Sequence, residues 1–136
     1  MTRLVGKAVV TASLVAFVLA ACGGSDTATA VLETVDADVF AELAADDGIV
    51  LLDIRTPEEF ASGHIAGSVN IDFYEDDFAT QIGALDRDVE YAVYCRSGNR
   101  SGQAMELFTD LEFHAVHNLG GGIVAWTEAG LVLTEG

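Results

Sequence analysis

The sequence is nearly without lysine, proline and cysteine. Its single lysine, Lys7, and its first arginine, Arg3, fall in the first seven of 136 residues. From residue 22 onward only Arg55, Arg87, Arg96 and Arg100 stand against all 22 acidic residues, a formal charge of −18. A surface so acidic repels phosphate backbones and anionic headgroups, which excludes nucleic-acid binding and electrostatic attachment to membranes. Its ordinary role is to keep the protein soluble. Two cysteines, Cys22 and Cys95, could form one disulfide, the usual expectation for a secreted protein, but each has a better local explanation. No apolar run reaches the roughly 20 residues of a membrane span, since the stretch Ala8–Ala21 has 14. There is no internal repeat, and the roughly 115 residues beyond the leader suit one domain with a modest core.

What is present begins with that leader. Arg3 and Lys7 precede Ala8–Ala21, whose polar breaks are Thr11 and Ser13. A positive start, a short apolar stretch and small residues before a cut site make a secretory signal over residues 1–21. Leu19-Ala20-Ala21-Cys22 resembles the bacterial lipobox, in which the cysteine thiol is acylated and becomes the first residue of the mature chain. Acylation of Cys22 argues against a Cys22–Cys95 disulfide and leaves Cys95 as the free thiol. Residues 22–30 then read as the lipidated cysteine and a small, polar, flexible tether. The expected location is extracytoplasmic, on a membrane through the lipid alone.

From Val31 to Gly136 the pattern is that of an α/β domain. Val31–Val35 suits a short strand. Asp36 caps a helix carrying Val39, Phe40 and Leu43 on one face, with Gly48 as its stop. Ile49–Ile54 is a near-continuous apolar run, as in a strand buried on both faces of a parallel sheet. Thr56-Pro57-Glu58-Glu59 starts a short helix: a hydroxyl N-cap, proline at the first helical position, acids at the positive dipole end, and Glu59 placed to close a capping box. Further strands are expected at Val69–Ile71, Tyr91–Tyr94 and Ala115–Leu119. Helices are expected over Glu75–Leu85, with Phe78, Ile82 and Leu85 inward, and from about Ser101, with Ala104, Met105, Leu107, Phe108 and Leu111 as its stripe. A short helix follows Gly120-Gly121-Gly122 and ends near Gly130. This alternation predicts a mainly parallel central sheet flanked by helices. Trp126, Phe108 and Met105 read as core.

In open parallel sheets, chemistry gathers where strands end and helices begin. Cys95 stands there, at the head of Cys95-Arg96-Ser97-Gly98-Asn99-Arg100-Ser101. Unpaired amides at a helix N-terminus favour an anion. A tight loop of small residues can aim successive N–H groups at one point, and Gly98 supplies the backbone freedom for it. Two of the four arginines beyond the leader lie in this window. All three effects favour a thiolate, so Cys95 is the candidate nucleophile, with a pKa below that of a free thiol.

The loop CRSGNRS resembles the active-site loop of the rhodanese family. The likeness extends over nearly the whole domain. Leu52-Asp53-Ile54-Arg55 with Pro57-Glu58-Glu59-Phe60 resembles the family's early D-x-R and P-x-E-[FY] elements. Gly63-His64-Ile65-Ala66-Gly67-Ser68-Val69-Asn70-Ile71 resembles its G-H-I-x-G-A-x-N-[IL] segment, with Ala66 where many members carry proline. Leu119-Gly120-Gly121-Gly122, Trp126 and Gly130-Leu131 resemble its closing signature. The resemblance implies a rhodanese-like fold over residues 31–136. It also implies a sulfurtransferase in which the Cys95 thiolate takes a sulfane sulfur from a donor such as thiosulfate, holds it as a persulfide, and passes it to cyanide or a thiol. No cofactor is implied.

The roles follow by position. The backbone of Arg96, Ser97, Gly98, Asn99, Arg100 and Ser101 forms the cradle. Arg96 and Arg100 attract and orient an anionic donor, and Arg100 is also a candidate tie that fixes the loop. Asp53 and Arg55 form a supporting ion pair near the site. His64 has a structural hydrogen-bonding role, because a thiolate already formed by its loop needs no general base. His114 and His117 lack a third ligand and are not expected to bind metal. A cysteine phosphatase or arsenate reductase shares the cradle idea, but its loop is C-x5-R and this one is C-x4-R, tighter and better suited to one sulfur atom. The other alternative is a non-catalytic module that senses redox state or binds a partner through Cys95. Outside the cytoplasm a thioredoxin-like thiol, cyanide or sulfite is the expected acceptor, and a monomer the expected state.

Overall fold

The computed structural model describes residues 29–136. The leader, Cys22 and most of the expected tether lie outside the described residues; Thr29 and Ala30 are exposed and irregular.

Five parallel strands, β1 (Val31–Val35), β2 (Ile49–Asp53), β3 (Val69–Asn70), β4 (Glu90–Tyr94) and β5 (Ala115–Leu119), form one sheet in the order β1-β5-β4-β2-β3. Helices α1 (Ala37–Ala44), α2 (Pro57–Ala61), α3 (Phe78–Gly83), α4 (Asn99–Asp110) and α5 (Gly122–Glu128) connect or follow them. This is the parallel, helix-flanked sheet that the apolar runs predict. None of these helices is long and apolar enough to cross a membrane.

β4 lies between β5 and β2, which pair both its edges, and helices cover both its faces. Alternate side chains then serve two cores. Tyr91 and Val93 join Leu52, Ile54, Phe78, Ile82, Ala104 and Phe108 under α3 and α4. Ala92 and Tyr94 join Leu51, Phe40, Leu119, Ile123 and Trp126 under α1 and α5. Two well-filled layers over a five-residue strand hold its C-terminal end, where Cys95 begins the loop, in one place.

Local chemistry accounts for most element ends. The Asp36 carboxylate accepts from Val39 N at 3.0 Å and caps α1. Thr56 and Glu59 form the reciprocal capping box of α2, at 3.3 and 3.0 Å, with Pro57 first in the helix. Three sequence expectations need correction. Val39 is exposed: the buried stripe of α1 runs through Ala37 and Phe40, and Val39 sits about 100° of helical rotation away from Phe40. The helix expected over Glu75–Leu85 is shorter, Phe78–Gly83, because Glu75 is used in a turn that closes with Phe78 N donating to its carbonyl, and Asp77 makes no side-chain cap. α4 begins at Asn99, two residues before the expected start at about Ser101, since Gly98 adopts a left-handed φ of 89° and turns the chain straight into the helix.

Candidate active site

Cys95 directly follows β4, and its side chain is fully buried. Three donors converge on Sγ: Gly98 N at 3.1 Å, Ser101 Oγ at 3.3 Å and Ser101 N at 3.5 Å. The geometry has a simple origin. The N-cap of α4 is Gly98, which has no side chain to accept from the third helical amide. The sulfur takes that place, standing where a serine or aspartate oxygen would cap an ordinary helix. Burial alone pushes the Cys95 thiol up, but the Ser101 hydroxyl, followed by the N–H groups of Ser101, Gly98 and Ser97, outweighs it and brings the pKa below the ordinary value.

The loop's carbonyls are disposed on the other side. Ile123 N donates to Cys95 O at 2.9 Å and Val124 N to Arg96 O at 3.2 Å. The first turn of α5 thus takes the carbonyls and leaves the loop amides to face the sulfur. Gly122 makes this approach possible: its φ is 60°, and a Cβ there would lie 2.4 Å from Arg96 O. Gly98 is confined less severely, with Gly121 N 3.0 Å from where its Cβ would be.

The two loop arginines are placed differently. Arg100 makes a two-point ion pair with Glu59, Nη1 to Oε2 at 2.8 Å and Nη2 to Oε1 at 2.9 Å, and its guanidinium lies 5.4 Å from the ring centre of the exposed Tyr74. Its bonds to Arg100 hold the Glu59 carboxyl well below the usual range, at about 2, against the opposing effect of burial. Arg96 is exposed and forms no side-chain ion pair among the described residues.

The chain matches the Rhodanese-like domain family model over residues 36–129, which contains every element from α1 to α5. It belongs to the rhodanese-like family. It is 34% identical over 98 residues to a protein named Sulfurtransferase from Allochromatium vinosum, covering 71% of this chain and 90% of that one. It is 40% identical over 81 residues to Thiosulfate sulfurtransferase GlpE from Pseudomonas aeruginosa, covering 60% and 72%. A solved rhodanese-related protein from Thermoplasma volcanium superposes with a TM-score of 0.67 at 32% identity, over 75% of this chain and 97% of that one. The first two of these relatives are named as sulfurtransferases, and sulfur transfer is the family-level activity they support.

Around the rhodanese-like loop the remaining candidates form a scaffold. Asp53 and Arg55 are a buried pair, joined at 2.7 Å between Nη2 and Oδ2 and again through Nε and the Arg55 amide. Arg55 also donates to Gly63 O at 2.7 Å and lies 5.8 Å from the ring centre of Tyr94, the residue before Cys95. Burial works against the Arg55 charge, yet Asp53 more than offsets it and the pKa is raised. His64 stacks on Phe60 at 3.7 Å, its Nδ1 lies 3.0 Å from Phe60 O, and its backbone pairs with Thr134. None of these three hydrogen-bonds to the sulfur. His117 and His114 diverge: His114 is exposed, while His117 is buried with Glu33 and Glu90 on its two ring nitrogens, at 2.9 and 2.7 Å.

Sequence reasoning missed three participants: the Ser101 hydroxyl, Glu59 as the partner of Arg100, and the α5 amides. The Glu59–Arg100 tie follows from the strand order. β2 and β4 are parallel neighbours, so the helices that follow them start side by side. Glu59 is third in α2 and Arg100 second in α4, an acid and a base in adjoining first turns.

Proposed function

We propose that the protein is a thiosulfate-using sulfurtransferase working through a Cys95 persulfide, tethered outside the cytoplasm by lipid on Cys22. The observation that carries this reading is the convergence of Gly98 N, Ser101 N and Ser101 Oγ on Sγ. Donors arranged in that way hold a thiolate, and then the anionic end of a persulfide, without a metal or a general base. In the first half-reaction the Cys95 thiolate attacks the outer sulfur of thiosulfate. A new S–S bond forms, the S–SO3 bond breaks, and its electron pair leaves with sulfite. In the second, cyanide or a thiolate attacks the outer sulfur of the persulfide, and the Cys95 thiolate leaves. Charge is conserved in each step and no outside oxidant is needed. Thiosulfate fits as donor because the loop offers amides and Arg96 to an anion on an otherwise acidic protein, and because relatives carry that activity in their names. The lipobox-like Leu19–Cys22 supports the tether and the location, and a thioredoxin-like thiol is the physiological acceptor suited to that compartment.

The test is intact mass after incubation with thiosulfate, for wild type and Cys95→Ser. A gain of about 32 Da, one sulfur in a covalent intermediate, is expected in wild type only, with thiocyanate released when cyanide is added. No gain from thiosulfate or another sulfane donor would shift the reading to a non-catalytic sensing or partner-binding module. Aryl phosphate hydrolysis that depends on Cys95 would instead revive the phosphatase reading.

A further inference from the structure

Glu59 is joined to the Cys95 loop through Arg100. It is a carboxylate brought to a site that reads as an anion acceptor, on a helix with its own reason to keep it. One oxygen, Oε2, accepts from Thr56 N at 3.0 Å and from Arg100 Nη1 at 2.8 Å; the other accepts from Arg100 Nη2 at 2.9 Å. Arg100 directly precedes Ser101, whose amide and hydroxyl both reach Sγ. The Arg100 guanidinium is spoken for on its edge by Glu59 and faced by Tyr74, and both partners of the ion pair are largely buried, with 13% and 28% of their side chains exposed.

We infer that Glu59 is a specificity-determining residue that sets the charge met by an incoming sulfur donor: by neutralising Arg100 it leaves Arg96 as the loop cation without an ion pair among the described residues. The cradle then presents one net positive side-chain charge to the donor in place of two. A dianion is held less firmly than the two loop arginines suggest, and release of sulfite, also an anion, is correspondingly easier. The inference rests on Cys95 being the point of donor attack, but it does not require that sulfur transfer occur.

Glu59→Gln separates this role from the structural one. Glutamine keeps the side-chain acceptor for Thr56 N, so the capping box survives, while the charge is lost and Arg100 becomes a net cation. The measurement is the ratio of Cys95 alkylation rates with iodoacetate and with iodoacetamide, reagents alike in size and unlike in charge. One unit charge at about 6–8 Å in water changes the local concentration of a monoanion by roughly two- to threefold. Glu59→Gln is expected to raise the ratio by at least that factor at low salt. The part of the gain felt by the reagent while still in solvent should fade in about 0.5 M salt, where screening acts within a few ångströms. Glu59→Asp should return the ratio toward wild type, and Arg96→Ala should lower it. A general change in thiolate reactivity moves both rates together and leaves the ratio alone, so an unchanged or lowered ratio in Glu59→Gln overturns the inference. If burial keeps Cys95 from both reagents, titration with unreactive sulfate, followed through the Gly98 and Ser101 amide shifts, decides the matter: tighter binding in Glu59→Gln supports the charge role and equal or weaker binding rejects it. Neither measurement needs a persulfide, so a failed sulfurtransferase assay stays distinguishable from a failed Glu59 assignment.

Discussion

Cys95 combines two properties that oppose each other. Its side chain has no exposure, which disfavours a charge, yet its environment favours the thiolate. The balance is struck by hydrogen bonds, and the Ser101 hydroxyl is the largest contributor on the favourable side. The sequence made the direction legible through the helix start and the small-residue loop, but it assigned part of the effect to arginine. The structure moves the weight to Ser101, because Arg100 is engaged by Glu59 and Sγ has its donors elsewhere. Ser101→Ala should therefore leave the fold intact and weaken the thiolate. A hydrogen bond to a charged group is worth about 1.5 kcal/mol, or about tenfold in an equilibrium. Since the group's pKa is held down in the wild type, losing the donor moves it up. The thiolate fraction at neutral pH falls by up to about that factor, while the rate at alkaline pH, where both proteins are ionised, is unchanged. A pH profile of Cys95 alkylation reads this directly; coincident profiles would mean that the backbone amides alone fix the thiolate.

At the level of elements, the cradle is a product of two helix starts facing one loop. α4 supplies amides to the sulfur and α5 takes the loop carbonyls. Gly122 is where the two meet, and it has neither space nor a permissive backbone for a side chain. Gly122→Ala must push the Arg96 carbonyl off the α5 amides or move α5 itself. Strain of this kind costs about 1–3 kcal/mol at a single residue, and steric overlap with backbone adds to it. The variant should melt lower and, where still folded, lose Cys95 reactivity more than a matched destabilisation in another helix, such as Ala41→Gly midway along α1, which packs in the opposite core layer from Cys95. Equal losses in the two variants would show that the α5 contact is packing only. This same junction marks the limit of what the sequence disclosed. Strands β4 and β5, the capping box of α2 and the core roles of Phe108 and Trp126 follow from apolar runs and cap chemistry, which are local. Val39 was misplaced because one position on a helix separates the core face from solvent. The Glu59–Arg100 tie and the α5 amides were hidden because they join residues 41 and 28 positions apart, a pairing that only the strand order brings together.

The whole molecule sets the conditions under which the cradle is reached. The chain from residue 22 onward carries a formal charge of −18, and its loop has one arginine without an ion pair among the described residues, so an anionic donor is repelled at long range before it is attracted at contact. The two effects have different reach. The field of the body extends over the Debye length, about 30 Å at 0.01 M salt and about 8 Å at 0.15 M, while contacts inside a buried cradle are screened much less. Adding salt should therefore remove the repulsion first. For the wild type, the second-order rate with an anionic reagent is expected to rise by roughly two- to tenfold between about 0.01 M and 0.2 M salt, with a neutral reagent as the flat control. This is opposite to the salt dependence of an anion-binding enzyme with a basic surface. A rate that falls with salt would mean that Arg96 and the helix amides dominate even at long range, and that the acidic body faces away from the approach. A rate that rises would support an acceptor that brings its own positive charge, for such a partner would be drawn to the same acidic surface that delays the donor.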